Sequence, residues 1–229
     1  MDVLIATPTR READAIAGRA RVIVTGTGGA ADELTHAIKE QRPGVVIVAG
    51  YCGALDPSLR AGDVVISRMA AQAGSPELLP EKGLIDHVRD EFHRRKSVFV
   101  YSRLLTTVHA VASKSDKLAL WNEFGAAGVD METYPLARAA EDARIPWVAV
   151  RVVLDAANTA LPASLDGWQE DGDERQALKR AALRPREWQS YGRLGLAYRR
   201  ASKALPRAVA IVRAAAQQPW ERDLSLPLV

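Results

Sequence analysis

Cysteine is almost missing from this 229-residue chain. Cys52 stands alone, which excludes a disulfide framework and any zinc site built on several thiolates. Histidine is scarce too. His36, His87, His93 and His109 show no ligand spacing, so no histidine metal motif is expected. No apolar run approaches the ~20 residues that span a bilayer. Asp2 and Arg10 fall early, with no basic-then-apolar leader between them, so no export signal is expected. One cysteine and no leader suit the cytoplasm. Acidic residues are nearly absent from one region. Between Arg175 and Arg213, eleven Lys or Arg stand against Glu187 alone, so that stretch carries +10 and the rest of the chain −7 within an overall +3. With 48% hydrophobic residues, the chain is too apolar for disorder and long enough for a sizeable core.

What is present alternates. Short β-rich runs occur at Val3–Ala6, Arg21–Thr25, Val45–Ala49, Asp63–Ser67, Val98–Val100 and Trp147–Val153. Helix-patterned stretches occur at Arg11–Ala17, Ala30–Gln41, Lys114–Phe124 and Pro135–Ala143. The run Val45–Ala49 is apolar on both faces, as a central strand is. This alternation predicts an α/β fold with a mixed central sheet flanked by helices, and ligands then gather at strand ends. The expected organisation is a catalytic body over 1–162, a polar linker over 163–174 and a basic helical appendage over 175–229. Leu194, Tyr198, Ala201, Leu205, Ala208 and Val212 recur at helical spacing, and Pro206 is expected to kink or split that helix.

Four segments carry possible chemistry. Thr25–Ala31 joins a strand to a helix through Gly26, Gly28 and Gly29, which can form an anion pocket. It matches a dinucleotide fingerprint, but the next strand ends Ala49-Gly50-Tyr51 without the acid that holds a ribose. Nicotinamide chemistry is therefore disfavoured, and a plain tight turn remains equally good. In the second segment Val45–Ala49 runs into a glycine-rich turn, after which Asp56 and Asp63 read as turn residues. In the third, Val129-Asp130-Met131-Glu132, a carboxylate at a strand end can accept hydrogen bonds from vicinal hydroxyls, with Met131 as an adaptable apolar surface. The alternative is that Glu132 caps the following helix. In the fourth, Arg151 lies inside an apolar strand and Asp155 at its end. A buried Arg needs a partner or an anionic ligand, and Asp155 can serve as a general acid if its surroundings raise its pKa. The alternative is an Arg–carboxylate pair that only holds the sheet.

Together and in this order, Gly53–Pro57 through Gly62–Val65, Val129–Glu132 and Arg151–Asp155 resemble the purine nucleoside phosphorylase and uridine phosphorylase superfamily, which includes the methylthioadenosine/adenosylhomocysteine nucleosidases. The resemblance runs to about Pro162. Arg11-Glu12-Ala13, the run into Ala160-Leu161-Pro162 and the Arg-rich stretch after Arg184-Pro185 are most similar to the hopanoid-biosynthesis phosphorylase branch. That branch removes adenine from adenosylhopane, an adenosyl group on a triterpenoid lipid.

The resemblance implies roles. Asp155 protonates or hydrogen-bonds the purine N7. Glu132 binds the ribose hydroxyls, with Met131 against the sugar. Arg151 lies near the nucleophile, and Glu12 orients water in hydrolytic members. Ala110 and Val111 line the base edge, Gly28 the phosphate-side turn. Three departures stand out: Leu154 where Ser is common, Asn158 where Asp is common, and Tyr51 where a small residue is usual.

No metal or organic cofactor is implied, and phosphate is a possible co-substrate. The expected activity is cleavage of a purine N-glycosidic bond, by phosphorolysis, towards which the branch resemblance leans, or by hydrolysis. The alternatives are a methylthioadenosine/adenosylhomocysteine-type nucleosidase and a non-catalytic nucleoside-binding protein. A homo-oligomer is expected on resemblance. The basic C-terminal segment suggests peripheral contact with an anionic membrane or, equally, a helix packed on the body; no nucleic-acid module is recognisable.

Overall fold

The computed structural model describes residues 1–16, 20–26, 29–161 and 188–220. Among these residues seven strands and six helices follow one another as β1 (Val3–Thr7), α1 (Arg10–Ile16), β2 (Arg21–Val24), α2 (Ala30–Gln41), β3 (Val45–Ala54), β4 (Val64–Gln72), α3 (Lys82–Arg94), β5 (Val100–Thr106), α4 (Lys114–Phe124), β6 (Gly128–Asp130), α5 (Thr133–Asp142), β7 (Trp147–Asp155) and α6 (Trp188–Gln217). The strands make one mixed sheet in the order β2-β1-β3-β6-β5-β4-β7. β7 also pairs with β3, parallel, from Val46 to Gly53. That extra pairing closes β3, β6, β5, β4 and β7 into a ring and leaves β1 and β2 as an open wing.

Strand periodicity sorts the core. Leu4, Ala6, Val46, Val48, Trp147 and Ala149 pack on one face with Leu34 and Ile38 of α2 and Leu136 and Ala140 of α5. The intervening Val3, Ile5, Val45, Ile47, Val148 and Val150 pack on the other with α3 and α6. Successive side chains in a strand point to opposite faces, so a strand covered by helices on both sides reads as an unbroken apolar run.

Several expectations change. β3 does not stop at Ala49; it continues through Gly50 to Ala54. Its glycines serve close approach by neighbouring side chains rather than a turn. The expected run at Val98–Val100 begins at Val100 and extends to Thr106, while Val98 is exposed. α3 lacks a counterpart in the expected elements, although Leu84, Ile85, Val88 and Phe92 carry its buried stripe. Pro206 lies inside a single continuous α6 and does not split it.

The expected appendage is also revised. Ala201, Leu205, Ala208, Val209, Val212 and Ala216 of α6 are buried against β7, β3 and α3, so this helix is part of the same core. From Ala201 onward its apolar face is thereby occupied by the core. Residues 162–187, the expected linker and the start of the basic segment, lie outside the described residues, as does Gly28. Among the described residues no helix is long and apolar enough to cross a membrane.

Candidate active site

Gly53 of β3 has two register partners, Val129 of β6 and Asp155 of β7. The sheet thereby brings the third and fourth sequence segments to either side of one strand. Their acidic residues form two clusters at different heights along β3.

The first cluster surrounds Arg151, which is fully buried. Its Nε lies 2.9 Å from Asp130 Oδ2 and donates to Thr133 Oγ1 at 2.9 Å. A terminal nitrogen lies 3.9 Å from Glu132 Oε2, and this same Nη2 has no hydrogen-bond partner. Asp130 organises the neighbourhood. Its Oδ1 accepts from Thr106 Oγ1 at 2.9 Å and from the backbone N–H groups of Glu132 and Thr133, and Thr133 Oγ1 donates to Oδ2. Asp130 thus satisfies free N–H groups at the start of α5, and Glu132 makes no side-chain capping bond. The capping alternative for Glu132 therefore falls away.

Glu12, in the first turn of α1, approaches from the opposite wing. Its Oε2 accepts from Thr9 N at 2.9 Å and Thr9 Oγ1 at 2.7 Å, and its Oε1 accepts from Tyr51 N at 2.8 Å. Gly50 makes this meeting possible. A Cβ there would stand 2.4 Å from Arg151 Nη1 and 2.6 Å from Glu12 Oε1.

Burial sets the protonation of this cluster. It pushes Glu132 up to about 7, against the pull of Arg151 and with the added repulsion of Asp130 and Glu12. It raises Glu12 as well, opposed by Arg151 and by the hydrogen bonds from Thr9 and Tyr51. Burial alone would lower the Arg151 pKa, but Asp130, Glu132 and Glu12 outweigh it and hold the guanidinium charged.

The second cluster is a pair. Asp155, buried at the end of β7, meets the fully buried ammonium of Lys117 from α4. Burial raises the Asp155 pKa and Lys117 opposes the rise. A bulge aims this carboxyl. Cys52 pairs with Val153 but Gly53 pairs with Asp155, so Leu154 is the extra residue. Leu154 packs into the α3/α6 side of the core. A Cβ at Gly53 would lie 3.3 Å from the Asp155 carboxylate.

Of the residues singled out in the sequence, Glu12, Glu132 and Arg151 come together, and Asp155 lies two to three residues along β3, roughly 7–10 Å away at ~3.3 Å per strand residue. Met131 is half-buried beside Glu132. Tyr51 donates its N–H to Glu12, and its ring meets Tyr198 of α6 edge-on at 5.9 Å. Ala110 is exposed and Val111 half-buried in the loop between β5 and α4. Asp56 and Asp63 are turn residues as expected, each accepting a nearby backbone N–H at 2.8 Å.

Sequence reasoning missed Asp130, Thr133, Gly50 and Lys117. A signal existed for the last: Lys117 falls on the helical stripe of Leu120, Trp121 and Phe124, a charge on a buried face. Among the described residues no three His, Cys, Asp or Glu side chains are grouped to hold a metal.

The family follows. The chain matches the phosphorylase superfamily over residues 15–184 and belongs to it. It is 26% identical over 170 residues to a 5′-methylthioadenosine/S-adenosylhomocysteine nucleosidase of Staphylococcus aureus, covering 65% of this chain and 75% of that protein. Solved structures agree in fold. Futalosine hydrolase of Helicobacter pylori superposes with a TM-score of 0.68 at 13% identity, over 93% of this chain and 97% of that one. A methylthioadenosine/adenosylhomocysteine nucleosidase of Neisseria meningitidis, in complex with methylthio-immucillin-A, gives 0.66 at 16% identity, over 92% and 97%.

Proposed function

We propose that this protein cleaves the N-glycosidic bond of an adenine nucleoside, with water as the nucleophile. The observation that carries the reading is the charge balance around Arg151: three buried carboxylates, Glu12, Asp130 and Glu132, share one guanidinium. Such an acid-rich cluster disfavours a phosphate dianion and suits the positive charge that develops on ribose as its bond to the base breaks. Superfamily membership and the nucleosidase relatives support the same chemistry.

In this reading Glu132 accepts the ribose hydroxyls, with Met131 against the sugar. Glu12, fixed by Thr9 and Tyr51, orients the attacking water and takes its proton. The water oxygen bonds to C1′ while the electrons of the C1′–N9 bond pass to the base. Asp155 gives its proton to N7 of the departing adenine. Arg151 keeps the carboxylates assembled.

The test is adenine release from 5′-methylthioadenosine and adenosine, with and without added phosphate. Equal rates and a free sugar as product are expected. Release that requires phosphate and yields a sugar 1-phosphate would overturn the hydrolytic assignment. No release from any nucleoside offered would overturn the reading as a whole.

For the 5′ group we propose a triterpenoid lipid, as the resemblance implies. Tyr198 abuts Tyr51 at the site, and the outward face of α6 beside it exposes Leu196, Arg199, Arg200 and Lys203. This face can follow an amphiphilic 5′ extension or rest against anionic lipid. A kcat/KM for adenosylhopane below that for 5′-methylthioadenosine would favour the nucleosidase alternative instead.

A further inference from the structure

Lys117 is the least expected charged residue in the fold. It stands on the buried stripe of α4, is fully buried, and points at the end of β7 rather than at solvent. Its Nζ donates to Asp155 Oδ2, to the carbonyl of Thr159 at 2.9 Å and to that of Ala156 at 3.3 Å. An ammonium has three donors, and all three are committed. It has none left for a substrate, so it cannot itself be the group that meets the base.

The environment of Asp155 explains what the lysine does. The bulge that aims Asp155 turns Leu154 into the α3/α6 core, so the residue before the acid offers it no hydroxyl. Gly53 leaves the carboxyl free on its β3 side. The charged and titratable groups acting on Asp155 are Lys117 from α4 and, on β3, the buried Cys52 thiol, whose own pKa burial pushes up. Without Lys117 this carboxyl would have no side-chain hydrogen-bond partner among the described residues.

We propose that Lys117 is a positioning residue for the base-protonating acid: its ammonium grips Oδ2 of Asp155, clamps the chain from Asp155 to Thr159, and leaves Oδ1 as the oxygen that meets the departing base. The inference rests on the role given to Asp155 above. It adds a consequence. The ammonium opposes the burial that raises the Asp155 pKa, so it sets the pH at which the acid loses its proton. α4 begins immediately after the loop carrying Ala110 and Val111, so the same helix ties the expected base edge to the acid.

The experiment is the pH dependence of kcat and KM for adenine release by the full chain, in wild type, Lys117→Met and Lys117→Arg. Methionine removes donors and charge at similar volume. We expect kcat to fall about 10–100-fold, as for a misplaced catalytic group, with KM within about 2-fold. The alkaline limb of the kcat profile should move upward by at least about one pH unit, because burial is then unopposed. Arginine keeps the charge and should leave the limb in place while recovering part of kcat. A staple that only stabilises the fold would lower the melting temperature of Lys117→Met and leave the limb unmoved, and that result overturns the proposal.

If Lys117→Met does not fold, as read by circular dichroism, Lys117→Arg decides alone. A kcat at least 5-fold below wild type with an unmoved limb supports the proposal, and wild-type kcat overturns it. Failure here is distinct from failure of the functional reading: an active wild type whose Lys117→Met limb is unmoved, or whose Lys117→Arg variant keeps wild-type kcat, refutes the positioning role only. A wild type that releases no adenine refutes both.

Discussion

Two acidic clusters flank β3, and they balance charge in opposite ways. Around Arg151 three carboxylates face one guanidinium; around Lys117 a single carboxylate faces a single ammonium. The first cluster is left net negative and partly protonated, with Glu132 near 7. The second matches its one carboxyl with one ammonium. A glycosidic bond that breaks leaves positive charge on the sugar and negative charge on the base. A cluster of carboxyls serves the first and a proton held at a fixed oxygen serves the second. Both clusters are buried, so each electrostatic interaction is stronger than in water, and the contrast lies in stoichiometry rather than in depth.

The largest expected effect removes the acid of the Lys117 pair. Asp155→Asn should lower adenine release by about 10²–10⁴-fold while the far-ultraviolet circular dichroism stays native. Turnover within a few-fold of wild type would break the division of labour between the clusters.

Next is Gly50, which lets the anionic cluster close. Gly50→Ala puts a methyl 2.4 Å from Arg151 and 2.6 Å from Glu12. It should cost about 1–3 kcal/mol of stability in denaturant melts and reduce kcat about 10²-fold by moving Glu12. An unchanged midpoint would show that the cluster tolerates opening.

The smallest effect concerns Glu132 and sharpens the comparison by pH. Its carboxyl has a folded pKa of about 7, above its ordinary 4.5. The folded state therefore holds this proton more tightly. The stabilisation is fully present below pH 4.5 and is lost as pH rises through about 7. Glu132→Gln removes the charge, so relative to wild type it should gain stability between pH 5 and pH 8, on the order of 1–3 kcal/mol. Thermal melts of both proteins at the two values check this. An equal difference at both pH values would mean that Glu132 is no more protonated in the fold than in the unfolded chain.

Much of the fold was legible because its strands are continuous apolar runs and its helices carry spaced stripes. Val45–Ala49 and Trp147–Val153 announce central strands. Arg151 and Asp155 were legible as ionisable groups inside and at the end of an apolar strand, and Glu132 as a carboxylate after one; Glu12 was singled out by the family resemblance alone. Less visible was the partnership among them. Gly50 reads locally as a turn, yet it stands in a strand because two side chains from distant elements need the space that a Cβ would fill. Pro206 reads as a break, yet α6 runs through it, with Leu205, Ala208 and Val209 packed on both sides of the proline.

The amino-acid order by itself determined most of the strands and helices, α3 excepted, and placed Arg151 and Asp155 in their strand, because side-chain periodicity and burial preference act over a few residues. Only the tertiary structure decided that Lys117 belongs to Asp155, that Asp130 and Thr133 hold Arg151, and that the basic C-terminal helix buries its apolar face in the main core. The side-chain pairings join residues 18 to 38 positions apart, on different elements. They arise where β3 meets β6 and β7, from the register of the closed ring and the Leu154 bulge, and no local pattern encodes that geometry.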